Sequence, residues 1–204
     1  MDDIMGLPPR SVLNSLFSFI QSGDPILKWH AVRCFGAVVA RLANEDLESA
    51  RVIVRRLMWN LNDESGGIGW GSPEAMGDAL SRHPVLAAEY ATILLSYARK
   101  DGNYLEHEML QRGLLWGIGR VAEGRPDFVR SAAPSLMSYL GSPDAAVRGL
   151  AARLMGLLRA PEACDELLLL AEDLSEISID FQVELGKHSV KDLASEALKQ
   201  IPCI

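Results

Sequence analysis

The 204-residue chain has few aromatic residues (6%), only three cysteines, and no apolar run long enough to cross a bilayer. A membrane helix needs about 20 apolar residues, so the sequence predicts no membrane span. Its first residues are acidic, and no apolar core of a signal peptide follows them. Cysteines so few and scattered predict neither a disulfide framework nor a thiolate metal site, and they favour a reducing, cytoplasmic setting.

Basic residues are outnumbered, with 20 Lys and Arg against 27 Asp and Glu and a formal net charge of −7. Proteins that bind nucleic acid use clustered basic side chains to contact phosphates, so this balance argues against nucleic acid as a partner. The acids are dense near the C-terminus, where no base falls between Arg159 and Lys187. We expect this acidic segment to be solvated and to repel nucleic acid.

Apolar residues recur at helical spacing almost throughout the chain. Between positions 12 and 20, for example, they fall on one face of a helix. Breaks between such segments predict new helix starts, with Asp24, Asn44 and Ser72 as N-caps and with proline after Asp24 and Ser72. Helical segments of about 10 to 20 residues joined by short turns predict antiparallel helical pairs.

Two segments, 24–36 and 144–156, share a spaced pattern that indicates an internal repeat. In each, an acid is followed by a base four positions later, by Ala at seven and by Gly at twelve. Small residues at fixed positions let neighbouring helices approach closely, and the base can reach the head of its own helix. Gly77 and Gly119 extend the series at intervals of about 40 residues.

A period near 40 residues, with two helices per period and this pattern in the second helix, resembles HEAT repeats over nearly the whole chain. The resemblance implies an all-α fold, a right-handed superhelical solenoid of about five helical hairpins in one domain, with a concave and a convex face. The block 59–77 also resembles a bacterial group of HEAT-like proteins, which implies no activity. The expected repeats are approximately 8–43, 44–83, 84–124, 125–160 and 161–204.

One segment departs from helical spacing. Its apolar residues alternate with polar ones, which is the period of a strand. One interpretation is a short β-hairpin near 176–190, inserted in the last repeat, and the other is an irregular linker with chance alternation. The alternating apolar residues are Ile177, Ile179, Phe181, Val183 and Leu185.

The segment 59–77 contains most of the candidate site residues. Four glycines within six positions allow unusual backbone angles and close approach of another group, and Trp70 lies among them. Three interpretations stay open: a structural loop in which Trp70 fills the core, a binding site for a partner or small ligand, or a catalytic site with Asp63 or Glu64 as general base. The candidate binding residues are Trp59, Asn62, Asp63, Glu64, Gly67, Trp70 and Ser72.

Trp29 and Trp116 are further candidates because both fall in the second helix of a repeat. The HEAT resemblance implies that these helices line the concave side, and tryptophan is common at binding hot spots. Packing between repeats is the alternative role. No catalytic, metal or cofactor motif is complete; His107 begins a zinc-protease-like pattern, but Gln111 stands where the second His is required.

These observations favour a non-catalytic scaffold that binds a protein or peptide through the concave face and the 59–77 loop. A HEAT-like enzyme is one alternative. It would be similar either to glycosylases that remove alkylated bases from DNA, with Trp59 and Asp63 as a loose counterpart, or to lyases that attach tetrapyrrole chromophores. A module that binds a small ligand is the other alternative.

Overall fold

The computed structural model describes residue 4 and residues 6–62, 69–180 and 185–202. Helical spacing gives helices over most of these ranges, and none of the helices described there is long and apolar enough to cross a membrane. Short 3-10 turns lie at Pro126–Phe128, Arg130–Ala132, Met137–Gly141 and Pro161–Ala163. The α-helices are α1 (Pro9–Phe19), α2 (Pro25–Glu45), α3 (Leu47–Asn62), α4 (Ser72–Arg82), α5 (Pro84–Ser96), α6 (Glu108–Gly124), α7 (Ala133–Leu136), α8 (Ala145–Leu158), α9 (Cys164–Leu170) and α10 (Val190–Gln200).

The helices form an inner and an outer row. The inner row consists of α2, α4, α6, α8 and α10, and each of these helices packs against the next one in the row. The outer row consists of α1, α3, α5, the broken segment 126–141 and α9. One outer and one inner helix make a hairpin, so the helical pairs that the apolar spacing predicted, and the all-α fold of stacked hairpins that the resemblance implied, are confirmed.

Glycine permits a very close contact between two helix backbones of the inner row, those of α4 and α6. A Cβ built on Gly77 would overlap the backbone of Gly117 on the facing helix. Only a residue without a side chain allows two helix backbones to approach so closely. The small residues of the repeat pattern therefore set the spacing between neighbouring hairpins.

Two short strands separate α9 from α10. β1 (Glu176–Asp180) and β2 (Leu185–Ser189) pair antiparallel, with Ile177 opposite His188. Ile177 and Ile179 are buried, and Ile177 packs against Gly149 of α8. The β-hairpin predicted near 176–190 is thus confirmed, although positions 181 and 183 of the alternating pattern lie outside the described residues.

The helix cap predicted at Asp24 is confirmed, and Asp144, the matching acid of the other repeated segment, also caps its helix. Oδ1 of Asp24 accepts a hydrogen bond from the amide of Ile26 at 2.9 Å, and Oδ1 of Asp144 accepts one from the amide of Val147 at 2.9 Å. These bonds satisfy amides that the first turn of a helix leaves without a partner. The acids that open the two repeated segments are therefore N-caps.

Two predicted caps are wrong. Asn44 lies inside α2, which continues to Glu45, and Asp46 accepts the amide hydrogen bond of Ser49 at 3.1 Å instead. Gly71 occupies the N-cap position of α4 with a left-handed φ of 77°, so Ser72 is already the first helical residue. The hydroxyl of Ser72 is buried and has no hydrogen-bond partner in the described part of the chain.

Two of the three cysteines, Cys34 and Cys164, differ in oxidation state. Cys34 is a free thiol in the core, and burial raises its pKa. Cys164, the first residue of α9, takes part in a disulfide. This disulfide does not amount to the disulfide framework that the sequence argued against, but the positions of the three cysteines had not predicted it. The cytoplasmic setting stays a prediction.

Candidate functional site

The first turns of four inner helices meet around one cavity of about 660 Å³, which we call the inner cleft. Its size is within the range of about 300–1,000 Å³ that is usual for ligand sites. The helices α2, α4, α6 and α8 form its walls, and β1 closes one side. The main contributions are Pro25, Lys28 and Trp29 from α2, Trp70, Gly71 and Glu74 at α4, Met109, Arg112 and Trp116 from α6, Asp144, Ala145 and Leu150 at α8, and Glu176 to Ile179 from β1.

Three of the four tryptophans line the inner cleft. The rings of Trp29 and Trp116 are in contact, with their centroids 4.8 Å apart and their planes tilted by 45°. Trp116 is only 2% exposed, whereas Trp70 is 42% exposed. The aromatic wall therefore has a fixed part, the Trp29–Trp116 pair, and a part with free surface, Trp70.

An ion pair between two repeats lies beside this wall. Nζ of Lys28 donates to Oε1 of Glu74 at 2.6 Å, and the Glu74 side chain is only 3% exposed. The Lys28 ammonium also lies 5.2 Å from the ring centroid of Trp29, within range of a cation–π interaction. Glu74 is in the first turn of α4, where a negative charge is favoured by the helix dipole.

A second ion pair joins the next two repeats. Nε of Arg112 donates to Oδ1 of Asp144 at 3.0 Å, and Nη2 donates to the other carboxylate oxygen. Burial acts to raise the pKa of Asp144, but the hydrogen bonds from Arg112 and from the amides of Val147 and Ala146 outweigh it and lower that pKa. Asp144 is therefore a carboxylate that is held in its charged form.

Glu176 supplies the fifth charged side chain of the inner cleft. It is exposed on β1, and within the described ranges it forms no ion pair. The lining thus contains two bases, Lys28 and Arg112, and three acids, Glu74, Asp144 and Glu176. Because the first four form two pairs, the charge left over is negative.

A different carboxylate, Asp78, lies one turn further along α4. It is fully buried and accepts hydrogen bonds from Nε of Arg82 at 2.6 Å and from Nε of Arg120 on α6 at 3.0 Å. Gly36 of α2 packs against the Asp78 carboxylate so closely that a Cβ there would overlap it. Asp78 does not line the inner cleft, so this network joins helices without facing a cavity.

The structure separates the predicted site residues into three groups. Trp29, Trp70 and Trp116 meet in the inner cleft. Trp59 is 60% exposed on α3 and does not line the cleft, and neither does Asn62, which ends that helix and hydrogen-bonds Tyr97, nor the buried Ser72. Asp63, Glu64 and Gly67 lie outside the described residues.

Sequence reasoning missed the charged residues of the cleft. Lys28 belongs to the repeat pattern, but we expected it to reach the head of its own helix, as Arg148 does through the carbonyl of Ser142 at 2.8 Å. Lys28 instead pairs with the next inner helix. Successive inner helices bring their first turns together, so a search for charged residues at each helix start would have found Lys28, Glu74 and Arg112.

Comparisons with known proteins agree with this architecture. Residues 108–158, which extend from α6 to α8, match a family model described as HEAT-like repeat. An uncharacterized protein of Archaeoglobus fulgidus is 27% identical over 128 residues, which are 62% of this chain and 61% of that protein. The chain thus spans less than two thirds of the length of that relative.

Solved structures show the same fold. The crystal structure of one engineered protein gives a TM-score of 0.60 at 16% identity, over 97% of this chain and 82% of the other. A second engineered protein gives a TM-score of 0.58 at 16% identity, over 98% of this chain and 50% of the other. The resemblance to HEAT repeats is confirmed by the family model and by these helical-repeat neighbours.

Proposed function

We propose that this HEAT-like helical array is a non-catalytic binding module whose inner cleft holds a peptide segment of a partner protein. The observation that carries the proposal is the meeting of three tryptophans and two ion pairs in one cavity of about 660 Å³. Aromatic side chains supply large contact areas and are enriched among residues that dominate binding energy. An apolar wall with a few fixed polar groups is the usual composition of a ligand site.

The exposed surface of Trp70 supports a ligand at this position. With 42% of its surface exposed, Trp70 presents apolar area at the border of the cleft. A ligand that covered this area would remove it from water, at a gain of roughly 25 cal/mol per Å². Trp116, by contrast, is already buried and would hold Trp29 in position through their ring contact.

The charges of the cleft favour binding over catalysis within the cleft itself. A general base works best with a pKa near the working pH. Hydrogen bonds lower the pKa of Asp144, so Asp144 is a poor proton acceptor near neutral pH, and Glu74 is occupied by its ion pair with Lys28. Two bases against three acids likewise give no positive surface for the phosphates of DNA.

Selection from a random peptide library, with peptides of about twelve residues, tests the proposal. We expect peptides that bind wild-type protein, and we expect Trp70→Ala to weaken them at least about tenfold because an aromatic anchor is lost. Direct titration followed by tryptophan fluorescence measures the affinities. Circular dichroism and the thermal midpoint verify that the variant is folded.

Trp59→Ala is the matched control. Trp59 is also an exposed tryptophan, but it lies on α3 and outside the inner cleft. We expect its removal to change the affinities less than about twofold, as for a residue outside the contact. Equal losses in both variants, or a selection that returns no binding peptide, would contradict the proposal.

A further inference from the structure

We infer that the peptide in the inner cleft binds as an added β-strand along the free edge of β1, and that it carries basic side chains. This inference rests on the proposed function, since it specifies how the same cleft would hold its peptide. It depends on three features of the described residues: the backbone of β1, the unpaired charge of Glu176 and the exposed face of Trp70.

The lining of the cleft indicates that a backbone edge of β1 borders it. Four consecutive residues of this strand, 176–179, line the cavity. Side chains of successive strand residues point to opposite faces, so four neighbours cannot all face the cavity with their side chains. The four residues therefore contribute to the cavity through the backbone edge that they have in common. β2 occupies one edge of β1, and no other strand pairs with β1 in the part of the chain that the structure describes.

A free strand edge offers hydrogen-bonding groups to an incoming extended chain. β1 has five residues, which correspond to about 17 Å of extended peptide. Ile177 and Ile179 are buried beneath the strand, and Ser189 with Asp192 forms a capping box directly after β2. The packing of Ile177 against α8 holds β1 in position before a ligand arrives, which lowers the entropic cost of binding.

The negative charge of the cleft favours a basic peptide. The ion pairs Lys28–Glu74 and Arg112–Asp144 are neutral as units, which leaves the Glu176 carboxylate. β1 also lies within the acidic segment between Arg159 and Lys187. An acidic strand or a second copy of this chain, with its net charge of −7, would be repelled from this edge, whereas a basic peptide would be attracted.

The cleft already contains an example of the contact that we infer. The Lys28 ammonium lies between the Glu74 carboxylate and the face of Trp29. Trp70 has free surface at the same cavity. A Lys or Arg of the peptide could stack on Trp70 in the same manner, and such a contact adds to affinity when it is shielded from water.

Backbone methylation of a selected peptide tests the strand geometry. In a β-ladder, alternate residues direct their amides toward the neighbouring strand. We expect N-methyl groups at alternate positions to weaken binding by about tenfold or more, and those between them to weaken it less than about threefold. In the protein, amide hydrogen exchange measured by NMR should slow at alternate residues of β1 when the peptide binds.

Substitution of Glu176 tests the charge. We expect Glu176→Gln to weaken a basic peptide about two- to fivefold and to reduce the salt dependence of its affinity. Glu172→Gln is the matched control, since Glu172 is an exposed acid of the same segment that does not line the cleft. Equal effects of the two substitutions, or selected peptides without an excess of Lys and Arg, would overturn the charge preference.

The outcomes separate this inference from the proposed function. If peptides bind and Trp70→Ala weakens them, but methylation shows no alternation and β1 exchange is unchanged, strand addition is wrong and the binding module stands. If no peptide binds, or if Trp70→Ala and Trp59→Ala behave alike, both are wrong.

Discussion

Glu74 and Asp78 are carboxylates four residues apart on α4, yet they have different surroundings. Asp78 is fully buried and is held by Arg82 and Arg120, away from any described cavity. Glu74 is 3% exposed, is held by Lys28, and forms part of the wall of the inner cleft. The same helix thus uses one acid to join its neighbours and another to shape a cavity.

The difference teaches that burial alone does not identify a binding residue. Both side chains are nearly inaccessible to solvent, and both pair with a base from another repeat. A glycine of a facing helix packs against each acid, Gly36 against Asp78 and Gly113 against Glu74, but only Glu74 also lines the cavity. We therefore expect substitutions that remove the charge, or that fill the adjacent space, to lower the free energy of unfolding more at Asp78 than at Glu74.

We expect the largest effect from Asp78→Ala, with a loss of about 3 kcal/mol in the free energy of unfolding. Removing the buried acid leaves Arg82 and Arg120 without their partner inside the helix packing. Urea denaturation at pH 7 measures the change. As a control, Asp101→Ala removes an acid that is 71% exposed, and we expect it to change stability far less than Asp78→Ala does. Similar values for the two variants would mean that the buried Asp78 matters no more to stability than an exposed acid does.

The glycines beside the two acids provide the next test. A Cβ at position 36 would overlap the Asp78 carboxylate and lie against its backbone, whereas a Cβ at position 113 would meet only the Glu74 side chain. Glu74 can move toward the cavity, but the Asp78 backbone cannot. We expect Gly36→Ala to cost about 2 kcal/mol through overpacking.

For Gly113→Ala we expect a change within about 1 kcal/mol, because alanine also gains about 1 kcal/mol in helix propensity. Thermal and urea unfolding of both variants give the comparison. A cost at position 113 equal to that at position 36 would mean that the Glu74 side of the helix is as tightly packed as the Asp78 side.

Glu74→Gln should have a smaller effect, a loss of about 1 kcal/mol. The amide keeps the shape of the side chain and can still accept a hydrogen bond from Lys28, which is 18% exposed and can be partly hydrated. Asp78→Asn, measured in parallel, should cost about twice as much since two arginines lose an ionised partner. A reversed order of the two isosteric variants would contradict the comparison.

The smallest effect concerns the pH dependence that Asp144 contributes. Its pKa is lowered in the folded protein, so its stabilising contribution is fully present above the ordinary value of 3.8 and is lost as the pH falls through the folded pKa. The stability difference between wild type and Asp144→Asn should therefore be largest near pH 7, at about 1 kcal/mol, and shrink below pH 4.

Urea midpoints measured from pH 7 to pH 3 give this curve. Asp127→Asn serves as the reference, because the Asp127 side chain is 89% exposed and pairs only with Arg130 among the described residues. A difference for Asp144→Asn that grows on acidification would reverse the sign that we expect.

The repeating fold could be predicted because it depends on local signals. Apolar spacing gave the helices, Asp24 and Asp144 marked two helix starts, and the alternation at Ile177 and Ile179 gave the hairpin. Each signal acts within a few residues of the chain. The cap at Asn44 failed because the helix continues past it to Glu45, one residue before another acid that can cap the next helix.

The cleft could be predicted only in part, because it forms between residues that are distant in sequence. Trp29, Trp70 and Trp116 were recognised as individual candidates, but nothing in their spacing showed that they share one cavity. Lys28 and Glu74 are 46 positions apart and meet only after two hairpins have stacked. Trp59 was a candidate for the same reason as Trp70, and only the three-dimensional arrangement separates them.

The contact between Gly77 and Gly117 has a mechanical consequence for the cleft. Where two helices meet without side chains, no rotamer can change to let them slide or separate. The joint between α4 and α6 should therefore be stiff, whereas joints with long side chains between the helices can yield. Trp70 and Glu74 lie on the α4 side of this joint, and Met109 and Arg112 lie on the α6 side. The distance between these two walls of the cleft should therefore stay constant. The cleft would then select ligands by thickness.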